Sequence, residues 1–403
     1  MTTEQPSYRA VLNTEHTARS FLPSILGRLS LATSGLALVL LLEQSTGSFA
    51  VAGAVTATLG IANVVATPWR ARLIDRRGQT MTLAVLGLTH TLSLIALGLA
   101  GNAGLPILLG LSVIAGASSP PFGATMRVLW SAALPAGGMR TRGFSLDAVA
   151  EEVTFAVGPL AAALLAVIID PFASLLLSAA CVAIGTTLFV TSPLSRRQLG
   201  THHTDYANAL PTRSPLRSRG FTPVVITMIA PGVILGSIEI AAPAVAESES
   251  NTLLSGVLLA LFAGASALGG LLYGRMRLQA VLERQLLVLA LAPLIITAIM
   301  GLIGGPLAAL IGFTLSGLCL APQLIVGYLA ADERTDPRSR TEASSWINTA
   351  VNFGAALGAV IFGATTDSTG PGPALAISAV IASVILAICT PFLLRLRHAD
   401  QPE

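Results

Sequence analysis

The chain has 403 residues, of which 53% are hydrophobic and only 11% are charged, with a formal net charge of +3. Soluble domains carry about 25% charged residues, so this composition excludes both a water-soluble globule and a disordered chain. The 38 glycines follow no collagen period, and 3 cysteines are too few for a disulfide scaffold. The composition therefore predicts a polytopic membrane protein.

The 23 basic residues are all arginine. A phosphate-binding P-loop requires a lysine, and so does a Schiff base, so we expect neither nucleotide hydrolysis nor lysine-based catalysis. The sequence also lacks the His-Glu-x-x-His and Ser/His/Asp patterns of hydrolases and any cluster of metal ligands. We predict that the protein is not an enzyme, that it has no cofactor and no metal, and that it binds neither nucleotide nor nucleic acid.

Continuous apolar runs of about 20 residues predict membrane-spanning helices. The runs do not alternate with period two, which excludes the strands of a β-barrel. Twelve such spans are predicted: 20–43, 49–69, 80–100, 104–126, 143–168, 171–193, 221–246, 252–274, 283–303, 305–330, 341–366 and 371–394.

The arginines predict the orientation of these spans. With the N-terminus in the cytoplasm, 22 of the 23 arginines fall in cytoplasmic segments or, as Arg284 does, at the cytoplasmic end of a span, and none falls in an external loop. This distribution is a strong positive-inside signal. Arg28 is the exception, because it lies within the first span. We expect both termini in the cytoplasm, no cleaved signal sequence, and a location in the cytoplasmic membrane.

The longest polar stretch lies at the middle of the chain, after the sixth span, and divides the sequence into two similar halves. Gly116 and Pro121 in the fourth span match Gly317 and Pro322 in the tenth. The sequence predicts five segments: a cytoplasmic N-terminal tail 1–19, a six-helix bundle 20–193, a cytoplasmic linker 194–220, a second six-helix bundle 221–394, and a cytoplasmic C-terminal tail 395–403.

The loop after the second span carries a short charged signature. Residues 71–80 read Ala-Arg-Leu-Ile-Asp-Arg-Arg-Gly-Gln-Thr and contain an Asp-Arg-x-Gly centre at Asp75, Arg76 and Gly78. With six plus six spans and a polar central loop, the whole chain resembles the major facilitator superfamily, although Ala71 replaces the leading glycine and the trailing basic pair is missing. The resemblance implies two pseudo-symmetric six-helix bundles, with Asp75, Arg76 and Gly78 as a cytoplasmic gate. The alternative for the arginines here is a topology signal that binds anionic lipid.

A second pair of residues, Gly158 and Pro159 in span five, is similar to the Gly-Pro motif of proton-driven exporters in that family. Its flanking glycines are absent. The resemblance implies proton-coupled efflux.

Charged residues within spans one and five are candidates for proton coupling, because ionisable groups inside the hydrocarbon are rare and usually functional. Arg28 lies about 12 Å into span one, and Glu151 lies about 12 Å into span five. Asp147 and Glu151 share one helix face, and Glu152 is turned about 100° away. We predict that Arg28 pairs with Glu151 or Glu152. The alternative is a structural ion pair that fixes helix register.

Polar and aromatic residues on the cytoplasmic half of several spans predict a substrate cavity: Asn63, Gln323, Trp346, Asn348 and Asn352. The alternative for each amide is packing between helices.

Together these features predict a secondary transporter that moves a small organic solute by alternating access, driven by the proton gradient. Proton-coupled export of a drug, sugar or metabolite is favoured, with a proton-coupled uptake symporter as the alternative. A sensor or scaffold that does not transport is more remote, because it would need a larger soluble region. We expect a monomer surrounded by membrane lipid.

Overall fold

A computed structural model describes residues 7–199, 214–218, 220–276 and 280–399 of the chain. Among these residues nearly all are helical and none forms a strand. Twelve helical segments in this part of the chain are long and apolar enough to cross a membrane. The prediction of an all-α protein with twelve spans is therefore confirmed.

The twelve spans are numbered here in chain order, and two of them consist of two helices each. Their bounds are Thr17–Thr46, Phe49–Arg77, Gln79–Leu99, Leu105–Ser118 with Phe122–Ala133, Gly138–Ile168, Pro171–Thr191, Phe221–Thr227 with Ile229–Ser248, Thr252–Arg275, Leu282–Ile303, Gly305–Arg334, Arg340–Thr369, and Pro371–Ala399. Short helices at Tyr8–Asn13, Pro193–Arg197, Pro215–Arg217 and Pro337–Ser339 lie outside the spans.

Several helices extend beyond the apolar runs from which they were predicted. Span two continues to Arg77 rather than 69, span ten continues to Arg334 rather than 330, and span five begins at Gly138 rather than 143. An apolar run ends where the hydrocarbon ends, whereas a helix ends only at a residue that stops its hydrogen bonding. Span two stops at Gly78, whose φ of 89° is open to glycine and disfavoured for other residues.

Proline interrupts span four. Its two helices are separated by Ser119, Pro120 and Pro121, because proline has no backbone N–H with which to continue the helical bonding. Helix continues through Pro159 in span five and Pro322 in span ten.

The structure contains two compact units. The first comprises the described residues within Met1–Met139, Val153–Thr212 and Arg338–Ser345. The second comprises those within Arg140–Glu152, Arg213–Pro337 and Trp346–Glu403. Spans five and eleven each contribute a segment to both units. The two predicted bundles and their bounds stay a prediction.

Parts of the predicted tails and linker fall outside the described residues. Of the linker 194–220, residues 200–213 and 219 are not described, and neither are residues 1–6 and 400–403 of the tails.

Each unit has an apolar core in one half of its helices. The opposite half, which we call the arginine-rich end of that unit, holds Arg72 and Arg127 in the first unit and Arg140 and Arg334 in the second. The core of the first unit includes Leu38, Leu42, Val55, Leu94 and Leu108, and the core of the second includes Ile238, Leu258, Leu294, Phe313 and Phe362. Polar contacts of both units are found beyond these cores, toward the arginine-rich ends.

Candidate functional site

The predicted gate residue Asp75 contacts the start of span eleven within the first unit. Its Oδ1 accepts a hydrogen bond from the backbone N–H of Thr341 at 3.3 Å, and its Oδ2 accepts one from the N–H of Glu342 at 2.9 Å. The first N–H groups of a helix have no partner within the helix, and the positive end of the helix dipole favours an anion there. Asp75 therefore acts as an N-terminal cap supplied by another span.

Two arginines add to this contact. The Arg72 Nη2 lies 2.6 Å from Oε1 of Glu342, and its Nε donates to Oε2 at 3.1 Å, so the pair is bidentate. The Nε of Arg127 donates to the hydroxyl of Ser344 at 2.6 Å. Of the other predicted gate residues, Arg76 is exposed and Gly78 forms the buried turn into span three. Glu342 was not among the predicted site residues, because nothing in the local sequence pattern of span eleven distinguishes it.

Arg70 has a structural role that sequence analysis missed. Its side chain is only 1% exposed. One guanidinium nitrogen donates to the carbonyl oxygens of Gly116, at 3.0 Å, and Ser119, which both precede the prolines that interrupt span four. The arginine thus provides donors where Pro120 and Pro121 have none. A lipid-bound topology charge would be exposed, so that alternative does not describe Arg70.

Asn63, a predicted cavity residue, contacts this same arginine. Its Oδ1 accepts from Nη2 of Arg70 at 2.7 Å, beside the hydroxyl of Thr67 at 2.6 Å. These contacts favour the alternative in which Asn63 serves packing within the first unit.

Gly158 of the predicted Gly-Pro motif lies at a close approach of spans five and one. An added Cβ at this position would come within 2.6 Å of the Cβ of Ala32, closer than real carbon atoms approach. A residue without a side chain is required there. Pro159 follows it, half-buried within the same helix.

The predicted coupling residues Arg28 and Asp147 are both buried. Arg28 is 8% exposed and belongs to the first unit, and Asp147 is 1% exposed and belongs to the second. Glu151 and Glu152 also belong to the second unit, and both are half-buried. The pairing of Arg28 with Glu151 or Glu152 stays a prediction.

Glu152 has a defined environment within the second unit. It lies about 21 Å along the 31-residue helix of span five, near its middle. Its Oε1 accepts a hydrogen bond of 2.9 Å from the hydroxyl of Ser266 in span eight. Glu151 and Glu239 are close enough to interact with it electrostatically. A carboxylate in this position can hold and release a proton.

Glu239 and Ser266 were not in the predicted site. The rise along span seven places Glu239 near the external surface and predicts an outer gate or an exposed residue, and in the structure Glu239 is exposed. Its electrostatic interaction with Glu152 nevertheless connects span seven to span five. Serines are numerous in the spans, so the sequence offers no signal that singles out Ser266.

Ion pairs between helices also occur at the arginine-rich end of the second unit. Arg140, at the start of span five, lies 2.6 Å from Asp332 near the end of span ten. Arg334 donates to Glu283 of span nine, with a distance of 2.8 Å from Nε to Oε1. These contacts join spans five, nine and ten within one unit.

The other predicted cavity residues all lie in the second unit. Asn348 accepts a hydrogen bond from the hydroxyl of Tyr328. Trp346 is half-buried, and Asn352, one helical turn beyond Asn348, is exposed. The amide of Gln323 is 1% exposed and forms no hydrogen bond with any described residue.

Gln323 borders a small cavity inside the second unit. Residues of spans seven, eight, nine and ten line this cavity. Ser316 is one of them, and its hydroxyl has no hydrogen-bond partner among the described residues. Buried polar groups in this situation usually bind an ordered water molecule. The cavity therefore suits water better than a larger solute.

Comparisons with known proteins agree with this architecture. The sequence matches the family profile described as Major Facilitator Superfamily over residues 21–322 and 255–403. No curated protein sequence matches the chain.

Three solved structures illustrate the similarity of fold. The human organic anion transporter MFSD10 (TETRAN) superposes with a TM-score of 0.73 at 15% identity, covering 96% of this chain and 100% of its own. A bacterial homologue of the iron transporter ferroportin gives 0.73 at 15% identity, covering 94% of this chain and 99% of its own. The Escherichia coli fucose:proton symporter gives 0.69 at 14% identity, covering 92% of this chain and 97% of its own. At such identities the comparison establishes the fold and leaves the solute open.

Proposed function

This chain belongs to the major facilitator superfamily of secondary transporters, and we propose that it couples the inward movement of protons to the export of a small organic solute. We further propose that it is a monomer in the cytoplasmic membrane with both termini in the cytoplasm, as the 22 arginines on one side indicate.

The observation that carries the proposal is the carboxylate of Glu152. It lies near the middle of a membrane-spanning helix and is held by the hydroxyl of Ser266 at 2.9 Å. An ionisable group at this depth is unfavourable unless it has partners or contact with an aqueous cavity. Such a group is suited to take up a proton from one side of the membrane and to release it to the other.

Arg28, Asp147 and Glu151 complete the proposed coupling group. Glu152 already accepts a bond from span eight, and Glu151 leaves the same helix about 100° away from it. We keep both Glu151 and Glu152 as proposed partners of Arg28. Protonation of the acidic group would change the charge balance of the cavity and bias the transport cycle.

The solute is proposed to be neutral, amphipathic or zwitterionic. Beyond the coupling group, the proposed cavity residues Trp346, Asn348 and Asn352 are uncharged. Amides and an indole recognise hydrogen-bonding and apolar groups, and they cannot neutralise a multiply charged solute.

The direction of transport rests on the resemblance of Gly158 and Pro159 to the exporter motif. Uptake by proton symport is the alternative, because the same carboxylates serve either direction.

The first experiment identifies the solute and the direction. Strains that overproduce or lack the protein are grown against a panel of toxic compounds, and those with altered sensitivity are tested in liposomes that contain the purified protein. With an imposed pH gradient, we expect solute to accumulate in the compartment of lower pH. Accumulation in the opposite compartment would establish symport, and flux that ignores the gradient would refute proton coupling.

Variants then test the coupling group in the same liposomes. We expect Glu152→Gln to lose flux driven by the pH gradient, and Arg28→Ala to lower it, while both proteins reach the membrane at the wild-type level. Glu249→Gln makes the same chemical change at an exposed residue of the second unit and serves as the control. Flux at the wild-type level in Glu152→Gln would remove Glu152 from the mechanism.

A further inference from the structure

Ser266 differs from most other buried serines of the spans in what its hydroxyl contacts. A serine within a helix commonly donates to the carbonyl three or four residues earlier, as Ser112 does to Leu108 at 2.6 Å and Ser378 to Ala374 at 3.0 Å. The hydroxyl of Ser266 instead donates to Oε1 of Glu152 on span five. A bond to a carbonyl of its own helix would have satisfied the Ser266 hydroxyl equally well. Because the hydroxyl donates to Glu152 instead, we interpret the contact as one that positions the carboxylate.

The donor side of this contact is buried, whereas Glu152 itself is half-buried. Ser266 is 0% exposed, and its neighbour one turn along span eight, Gly270, lies beside Val149 of span five. A hydrogen bond to an ionised carboxylate is stronger than one between neutral groups, and removal of water strengthens it further. The Ser266 hydroxyl therefore stabilises the ionised form of Glu152 and fixes the direction in which its carboxylate points.

Neighbouring negative charge in the second unit opposes the stabilisation of ionised Glu152 by Ser266. Glu239 on span seven and Glu151 on the same helix as Glu152 are the titratable groups that interact with Glu152 there. Two carboxylates that share a site disfavour simultaneous ionisation. Span seven thus contributes a charge that favours the protonated form, and span eight contributes a donor that favours the ionised form.

We propose that Ser266 is a positioning residue for Glu152, and that its hydroxyl sets the pH at which Glu152 takes up the transported proton. This inference rests on the proposed function of Glu152 as the proton acceptor. It adds a residue on span eight to a group predicted only on spans one and five.

The experiment follows the proton itself and needs no solute. Purified full-length protein in lipid is titrated with acid while the infrared band of protonated carboxylic acids is recorded. The band that disappears in Glu152→Gln belongs to Glu152. We expect its midpoint in Ser266→Ala to move upward by about one pH unit, since the ionised form loses a charge-assisted hydrogen bond.

Glu239→Gln provides the opposite test. Loss of its charge makes ionisation of Glu152 easier, so the midpoint should move downward by about half a pH unit or more. Damage to packing alone would not shift the two variants in opposite directions. Ser266→Cys keeps a side chain of similar size with a weak donor and should give an intermediate upward shift. Ser378→Ala removes another fully buried hydroxyl of the same unit and should give none.

The outcomes separate the two proposals. An unchanged midpoint in Ser266→Ala, together with loss of flux in Glu152→Gln, would overturn the role of Ser266 and leave proton coupling in place. If Glu152→Gln neither removes a titrating band nor changes flux, Glu152 is not the proton acceptor, and the proposed coupling group fails.

Discussion

The two units use the same helix contact to support different polar residues. In the first unit, span four packs on span two through Gly116, which leaves room for the carbonyl oxygen of Leu59. In the second unit, span ten packs on span eight through Gly317, which leaves room for the carbonyl oxygen of Phe262. The two contacts are equivalent, so Leu59 and Phe262, which are 203 residues apart, align span two with span eight residue by residue.

In this alignment Asn63 is equivalent to Ser266, and Arg70 is equivalent to Tyr273. In the first unit Asn63 accepts a hydrogen bond from the buried Arg70, which also binds the carbonyls beside the prolines of span four. In the second unit Tyr273 donates to Gln285 of span nine instead, and Ser266 bonds to Glu152. One position stabilises a helix contact in the first unit and holds a carboxylate in the second.

The difference shows how a repeated architecture acquires an asymmetric site. Both halves need close packing of the same helices, so the glycines are repeated. Only the first half has a double proline that requires an external donor. The second half has no double proline and needs no such donor, so Ser266, at the position equivalent to Asn63, is available to contact span five.

The largest effect is expected from Arg70→Ala. The substitution removes five hydrogen bonds of a buried guanidinium to acceptors on spans two and four, so we expect a loss of about 3 kcal/mol or more. Thermal unfolding of the purified protein in detergent measures it. Tyr273→Phe, at the equivalent position, loses one bond and should cost about 1 kcal/mol. Equal unfolding temperatures for Arg70→Ala and the wild type would show that the guanidinium has no structural role.

Substitution of the two packing glycines tests whether the halves are equivalent. Gly116→Ala and Gly317→Ala each place a methyl group against a carbonyl oxygen, and overpacking of this kind costs about 1–3 kcal/mol. We expect similar losses in both variants by the same thermal assay. Gly110→Ala and Gly256→Ala, where an added Cβ meets nothing within 4 Å, are the controls. A large loss in only one half would break the alignment.

Asn63→Ala and Ser266→Ala probe the diverged position directly. We expect Asn63→Ala to lower stability by about 1 kcal/mol and to leave the titration of Glu152 unchanged. Ser266→Ala should lower stability less and shift the titration. A shift in the titration with Asn63→Ala would mean that the first unit also tunes the proton site.

A small effect on stability, similar to that of Asn63→Ala, is expected from Asp75→Asn. The amide has one acceptor oxygen for the two N–H groups at the start of span eleven, so the variant loses one hydrogen bond and the interaction of a charge with the helix dipole, together about 1 kcal/mol. If Asp75 is a gate, exchange between transport states should change by about fivefold or less, with solute binding retained. Asp170→Asn, at the N-terminal cap of span six, is the control. Turnover identical to the wild type would leave Asp75 with a capping role only.

The sequence determined the number of spans, their order and the family. These features depend on apolar runs and on the placement of arginines, both of which are local along the chain. The sequence also singled out Asp75, as a lone carboxylate among arginines near the end of span two, whereas its partners at the start of span eleven came from the structure.

The tertiary structure decided which polar residues serve packing and which hold the acidic group. Asn63 and Ser266 look alike in sequence, as single polar residues in apolar helices. Their roles depend on the neighbouring helix, on whether a proline there leaves carbonyls unpaired, and on whether a carboxylate lies within hydrogen-bond distance. The contact of Ser266 with Glu152 joins residues 114 positions apart, and that of Arg70 with Gly116 joins residues 46 positions apart. Hydropathy along one helix contains no information about either contact.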